Sequence, residues 1–265
     1  MISMFRSLFE AAEKGDVKRL TTLIDKGKSA DERNSERATP LGLAASGGHV
    51  DALRLLLRCG AEVNRSGRNG NTALYYAAKG GHTTVAQILI TQGAQVDKAP
   101  KKGVTPLLAA AAQGHTDVAT LLLDNGADIE AVESHGRTAL VLAIDKGRLE
   151  LVEMLLKRGA NVEHTHAAGC RPLMLAVRRS DPVIVRLLLE NGVQVDARDD
   201  EHRSALQLAV AAGGMESMEL LLAAGGDPDQ RTPGENWSLA TLAHNGGFER
   251  VANRLQRLEA ERHSR

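Results

Sequence analysis

Gly103-Val-Thr-Pro-Leu-Leu-Ala-Ala-Ala-Ala-Gln-Gly-His-Thr-Asp-Val-Ala-Thr-Leu-Leu-Leu-Asp-Asn-Gly-Ala-Asp128 reads as two short helices placed back to back. Thr105 is positioned to cap the first helix with its hydroxyl, and Pro106 stands at N1, where no backbone donor is missed. Leu107, Ala110 and Ala111 fall on one face, and Gly114 ends the helix. The second helix runs from about Thr116 to Asn125, with Val118, Leu121 and Leu122 on one side. It stops at Gly126, which adopts the left-handed C′ conformation at no steric cost.

Displacing this unit by 33 residues finds it again and again. The closing glycine recurs as Gly27, Gly60, Gly93, Gly126, Gly159, Gly192 and Gly225 without an indel. The opening threonine recurs as Thr39, Thr72, Thr105 and Thr138, and Arg171, Ser204 and Trp237 continue the series. The first-helix alanine recurs from Ala11 through Ala44, Ala77, Ala110, Ala143 and Ala176 to Ala209. Self-similarity at this period marks a repeat architecture in which each helical hairpin buries its apolar face only against its neighbours.

The pieces Ala38-Thr39-Pro40-Leu41, Ala44-Ala45, Gly48-His49, Leu55-Leu56-Leu57 and Gly60-Ala61 follow in an order that resembles the ankyrin repeat. The expected fold is all-α, an ankyrin-repeat solenoid of helix-turn-helix pairs with β-turn fingers. Six internal repeats, about residues 34–231, are expected between an N-terminal capping repeat (1–33) and a C-terminal capping repeat with its tail (232–265). The polar segments 64–71 and 130–137 correspond to the fingers, with Gly70, Gly103, Gly136 and Gly169 at a tight turn of positive φ. Fingers and first helices together form the concave face that the resemblance implies.

The ends differ from the interior. Residues 7–27 hold a helical half-repeat with Leu8, Ala11, Ala12, Leu20 and Leu23, bulked by Phe5 and Phe9, and Lys14, Lys18 and Asp25 form a polar outer face. At the other end Asn253-Arg254 replaces the usual Leu-Leu pair, and the charged residues 259–265 are expected to fray. Repeat five carries Arg171 for the capping threonine and Ser180-Asp181-Pro182 for Gly-His, where Asp181 can cap with Pro182 at N1. The family histidine after Thr-Pro-Leu is absent; Gly42, Tyr75, Leu108, Val141, Met174 and Gln207 take its place, so its bond to the threonine is replaced or lost.

Net charge is zero, from 33 basic and 33 acidic residues, which gives no bulk reason to expect nucleic acid or an anionic membrane. No apolar run approaches the roughly 18 residues of a membrane span. The first residues show no secretory signal, so a cytoplasmic monomer is expected. Cys59 and Cys170 lie more than three repeats apart and cannot be bridged within one molecule.

No catalytic, cofactor or metal site is expected. His49, His82 and His115 share one repeat position and resemble the family's Gly-His turn, in which the imidazole ties that turn to a neighbouring finger. His135, His164, His166, Cys170 and His202 fall near the fingers of repeats four to six, but their spacing matches no compact metal motif.

The partner reading falls on the finger and first-helix face. Tyr75 and Tyr76 are either interface anchors or core filling beside the small Gly42. Around them the face is assigned Arg68, Lys79, Lys101, Lys102 and Gln113, then Arg137, Asp145, Lys146, Arg178, Arg179 and Arg203. This makes a surface basic in the middle and acidic toward Asp199-Asp200-Glu201, suited to a protein partner with an acidic surface. A nucleic-acid or anionic-ligand binder using the same cations is the alternative.

Overall fold

A computed structural model describes residues 6–100 and 102–263; Phe5 and Lys101 lie outside the described residues, as does the side chain of Arg68. The described residues form sixteen α-helices and two 3-10 turns, with three isolated bridges in place of strands. The sequence reads as one uninterrupted array, whereas the packing divides into two compact units, Met1–Ser134 and His135–Arg265.

The first unit holds four helix pairs: α1 (Arg6–Glu13) with α2 (Val17–Asp25), α3 (Pro40–Ser46) with α4 (Val50–Arg58), α5 (Ala73–Gly80) with α6 (Thr83–Thr91), and α7 (Pro106–Gln113) with α8 (Thr116–Asp124). First helices stack on first helices, and second on second. The first helices can approach closely because Ala44, Ala45, Ala77, Ala78, Ala110 and Ala111 are fully buried and small. Leu53, Leu56, Leu89 and Leu122 of the second helices fill the space behind them, each contributing about 1.5–3 kcal/mol by burial.

The second unit repeats the plan: α9 (Ala139–Asp145) with α10 (Leu149–Lys157), α11 (Pro172–Arg178) with α12 (Pro182–Glu190), α13 (Ala205–Ala211) with α14 (Met215–Ala223), and α15 (Leu239–Asn245) with α16 (Glu249–His263). Residues 259–263, expected to fray, are instead the last turns of α16, and Arg262 reaches Asp229 at 3.0 Å. Within α16, Arg254 stands 2.7 Å from Glu219 of α14, which explains a charge where leucine is usual.

Caps follow the sequence closely. Thr39, Thr72, Thr105 and Thr138 accept the N–H three residues on, and Asp181 caps α12 as expected. Closing glycines from Gly27 to Gly225 all have positive φ, between 79° and 93°. One expectation fails. The last capping residue is Ser238 and not Trp237, because the final finger carries one extra residue: Thr232 pairs with Trp237, where Asp199 pairs with Arg203. The alanine register shifts with it, so Ala243 is the buried first-helix alanine of the last pair.

The histidines join repeats at a different place from the one the resemblance implies. His49, His82 and His115 place Nε2 at 2.7, 2.9 and 3.1 Å from the carbonyls of Glu13, Ser46 and Lys79. Those carbonyls belong to the last turns of α1, α3 and α5, so each ring closes the end of the preceding first helix and not a finger. A helix C-terminus leaves carbonyls without partners, and Nε2–H donates to one of them. In the second unit Arg179 plays the same part, donating Nη1 to the carbonyl of Asp145 at the end of α9.

Candidate functional site

Several fingers close by a backbone bond between their two arms, as in Asn34 N–H to Ala38 and Gly67 N–H to Asn71; at the same position Pro100 has no N–H to give and instead accepts from Gly103. The expected turn glycines Gly70, Gly103, Gly136 and Gly169 have φ between 66° and 86°. Arg37 and His202 occupy the same repeat position with φ near 60°, held there by the surrounding bonds.

A second ladder joins finger to finger, and the sequence reading missed it. Asp31, Asn64 and Asp97 accept the backbone N–H of Glu62, Gln95 and Asp128 in the next repeat. In the second unit Glu163 and Asp196 do the same for Gln194 and Asp227. The signal was an acceptor side chain recurring every 33 residues just before each finger. Repeat five uses this ladder to compensate its lost cap: Arg171 makes no capping bond but stands 2.7 Å from Glu163. At the place of the missing family histidine, Gln207 forms a capping box with Ser204 and donates Nε2 to the carbonyl of Arg231 at 2.7 Å.

The residues assigned to the partner face divide by unit. In the first, Lys79, Lys102 and Gln113 are exposed. Tyr75 and Tyr76 are half-buried, edge to face with ring centres 5.5 Å apart. The Tyr76 ring lies over Gly42, where an added Cβ would meet it at 3.5 Å, and Tyr76 lines a small cleft of about 160 Å³ with Glu36, Thr39, Gly42 and Leu43. Burial, reinforced by the neighbouring Tyr76, pushes the Tyr75 phenol above its ordinary pKa.

In the second unit Asp145 is the anion of a cationic cluster. Lys146, 2.9 Å away, holds its carboxyl below the usual range against the effect of burial, helped by Arg137 and Arg179. Arg178 is exposed beside Cys170, whose thiol burial pushes up. Arg179 is committed to the end of α9, as described.

Arg203 and Asp199 depart most from the sequence reading. Asp199 is not part of an open acidic patch: it is 7% exposed and accepts backbone N–H bonds from Glu201 and Arg203. Arg203 grips it through Nε and Nη2 at 3.0 and 2.8 Å and meets Glu201 at 2.8 Å. Burial raises the Asp199 pKa, but the guanidinium and backbone donors outweigh it and hold the carboxyl below its usual value. Asp199 therefore stabilises the fold above the unfolded carboxylate range, near about pH 4, and that contribution is lost as pH falls through the lowered native value. Asp199→Asn should make urea midpoints fall less steeply with acid over this window, at a cost at pH 7 of about 1–3 kcal/mol. Parallel pH profiles for the two proteins would refute the assignment.

The finger histidines do not converge. His164 donates Nε2 to the Gly136 carbonyl at 2.7 Å, and burial lowers the pKa of His166. Among the described residues no group of three or more His, Cys, Asp or Glu is placed to hold a metal. Among them, too, no helix is long and apolar enough to cross a membrane.

A family model of ankyrin repeats matches residues 8–99, 92–166 and 159–232. The chain belongs to the ankyrin-repeat family. Among solved structures, the crystal structure of the human ASB11 ankyrin repeat domain is similar at 31% identity and a TM-score of 0.75, over 83% of this chain and 98% of that one. Compared with curated protein sequences, the chain has no significant match. Ankyrin repeats generally mediate protein–protein interaction, and the family is typically non-catalytic.

Proposed function

We propose that this ankyrin-repeat chain is a non-catalytic scaffold, working as a cytoplasmic monomer, that binds one partner protein through the fingers and first helices of its units. An adaptor, or an inhibitor covering a target's working surface, fits this mode. The supporting observation is chemical variation on a constant backbone. The ends of successive first helices expose Ser46, Lys79, Gln113, Lys146 just past α9, and Arg178, while caps and buried alanines beneath them hardly change. Side chains displayed on rigid elements lose little freedom when a partner docks. Lys79, Lys102, Lys146 and Arg178 favour an acidic partner surface. A nucleic-acid reading has less support, since net charge is zero and the only two tyrosines lie half-buried against each other.

The test is Lys79→Glu, Lys102→Glu and Arg178→Glu together, all at exposed positions. Capture of a partner from lysate should fall at least tenfold, with a melting temperature close to that of the parent. Unchanged capture would remove this face from consideration.

A further inference from the structure

The last finger borders a cleft of about 290 Å³, walled by Leu208 and Ala211 of α13, Leu242 of α15, and Thr232, Pro233, Glu235 and Trp237 of the finger, with Glu201, Arg203 and Gln207. It is the register counterpart of the small cleft in the first unit. Glu36, Ala38, Gly42, Leu43 and Ser46 correspond there to Glu201, Arg203, Gln207, Leu208 and Ala211. Tyr76, which closes that earlier cleft, corresponds to Leu242 once the extra finger residue is counted. A shorter side chain at this one position leaves the later cleft open.

The extra residue also sets the wall. Asn236 takes φ 58°, and the cap passes to Ser238. Trp237, the counterpart of Arg203 in this register, stands 37% exposed at the cleft. Charge then selects the occupant. The single guanidinium, Arg203, is already gripped by both Asp199 and Glu201, while Glu201 and Glu235 are exposed lining residues. Two lining carboxylates, Glu201 and Glu235, stand against one cation that the buried Asp199 already neutralises, so the cleft is negative. An anionic segment is repelled, and an apolar plug would leave that charge uncompensated. A side chain with an aliphatic stem and a cationic head satisfies both walls, with the stem along Leu208, Pro233 and Leu242 and the head near the indole and Glu235.

We propose that this cleft receives an arginine or lysine side chain from an extended segment of a partner protein. The proposal rests on the scaffold reading and adds to its basic surface a second, acidic point of contact.

Trp237 is the sole tryptophan, so its emission reports occupancy directly. The full chain is titrated at low salt with acetyl-Leu-Arg-Leu-amide, its lysine analogue and its glutamate analogue. Saturable shifts with the first two and none with the third are expected. Glu235→Gln should weaken the arginine peptide about two- to fivefold, and Leu242→Tyr, which installs the side chain that closes the earlier cleft, should abolish the response. No saturable shift, an equal shift with the glutamate peptide, or unaltered binding to a folded Leu242→Tyr protein would overturn the proposal. Should Leu242→Tyr not fold, Glu235→Gln and Glu201→Gln, both at exposed positions, decide, and unaltered arginine affinity in both overturns it. A captured partner with silent peptides would sink the cleft and leave the scaffold standing. Responding peptides with no partner captured would do the reverse.

Discussion

Leu122→Ala is expected to lower the unfolding free energy by about 3–4 kcal/mol, near the middle of the range for a leucine whose cavity cannot collapse. Leu122 is fully buried in α8, among second helices that stack on one another and behind first helices already reduced to alanine. Ala110 and Ala111 have no longer side chain with which to fill the void, so the transfer loss and the cavity penalty both apply. The neighbouring Leu121 is only half-buried and should cost about 1 kcal/mol or less on the same change. Urea midpoints of the two variants check the pair. Equal losses would mean that the face of α8 turned inward has been misassigned.

Gly213→Ala comes next, with an expected loss of about 2–4 kcal/mol, in which left-handed backbone for alanine supplies about 1–2 kcal/mol and overpacking the rest. Gly213 has φ 67°, and a Cβ there would lie 2.4 Å from the Phe248 ring. The molecule contains its own control. Ser180 occupies the same repeat position with φ 54° and carries a Cβ, and the residue aligned with the capping ring in the next repeat is Gly214. Backbone of this kind is tolerated where no planar group lies above it. The steric part should therefore vanish in a Phe248→Ala background, so that the double variant loses less than the sum of the singles. Strict additivity in thermal or urea unfolding would show that the ring is not the cause.

Much of the fold was legible because the residues that fix it act on their own backbone. Glycine permits positive φ, proline presets N1, and a threonine or aspartate hydroxyl or carboxylate satisfies an N–H three residues on; all three signals are local and recur on a fixed period. The site was less legible because its charges are committed over distances that local reading cannot see. Arg179 looks like a free cation but closes a helix begun 40 residues earlier at Ala139. Asp199 and Arg203 look like opposing surface charges and instead hold one finger together. The histidines were rightly taken as structural, yet their carbonyl partners lie 36 residues back on a helix end and not on a finger. Trp237 misled for another reason: a single inserted residue in a finger without regular spacing moved the cap to Ser238.

The slots above Gly15, Gly48 and Gly81 are filled by imidazoles, that above Gly147 by a guanidinium, and that above Gly213 by a phenyl ring. Only the first two kinds can donate a proton, so what the slots share is flatness. Each half of the joint sits in a different module, a bare backbone shelf in one and a slab in the next. Modules cut from this chain and shuffled within a unit should therefore mate wherever shelf meets slab, whatever the chemistry of the slab. Misfits should be confined to junctions that bring a slab onto the side chain of Ser180.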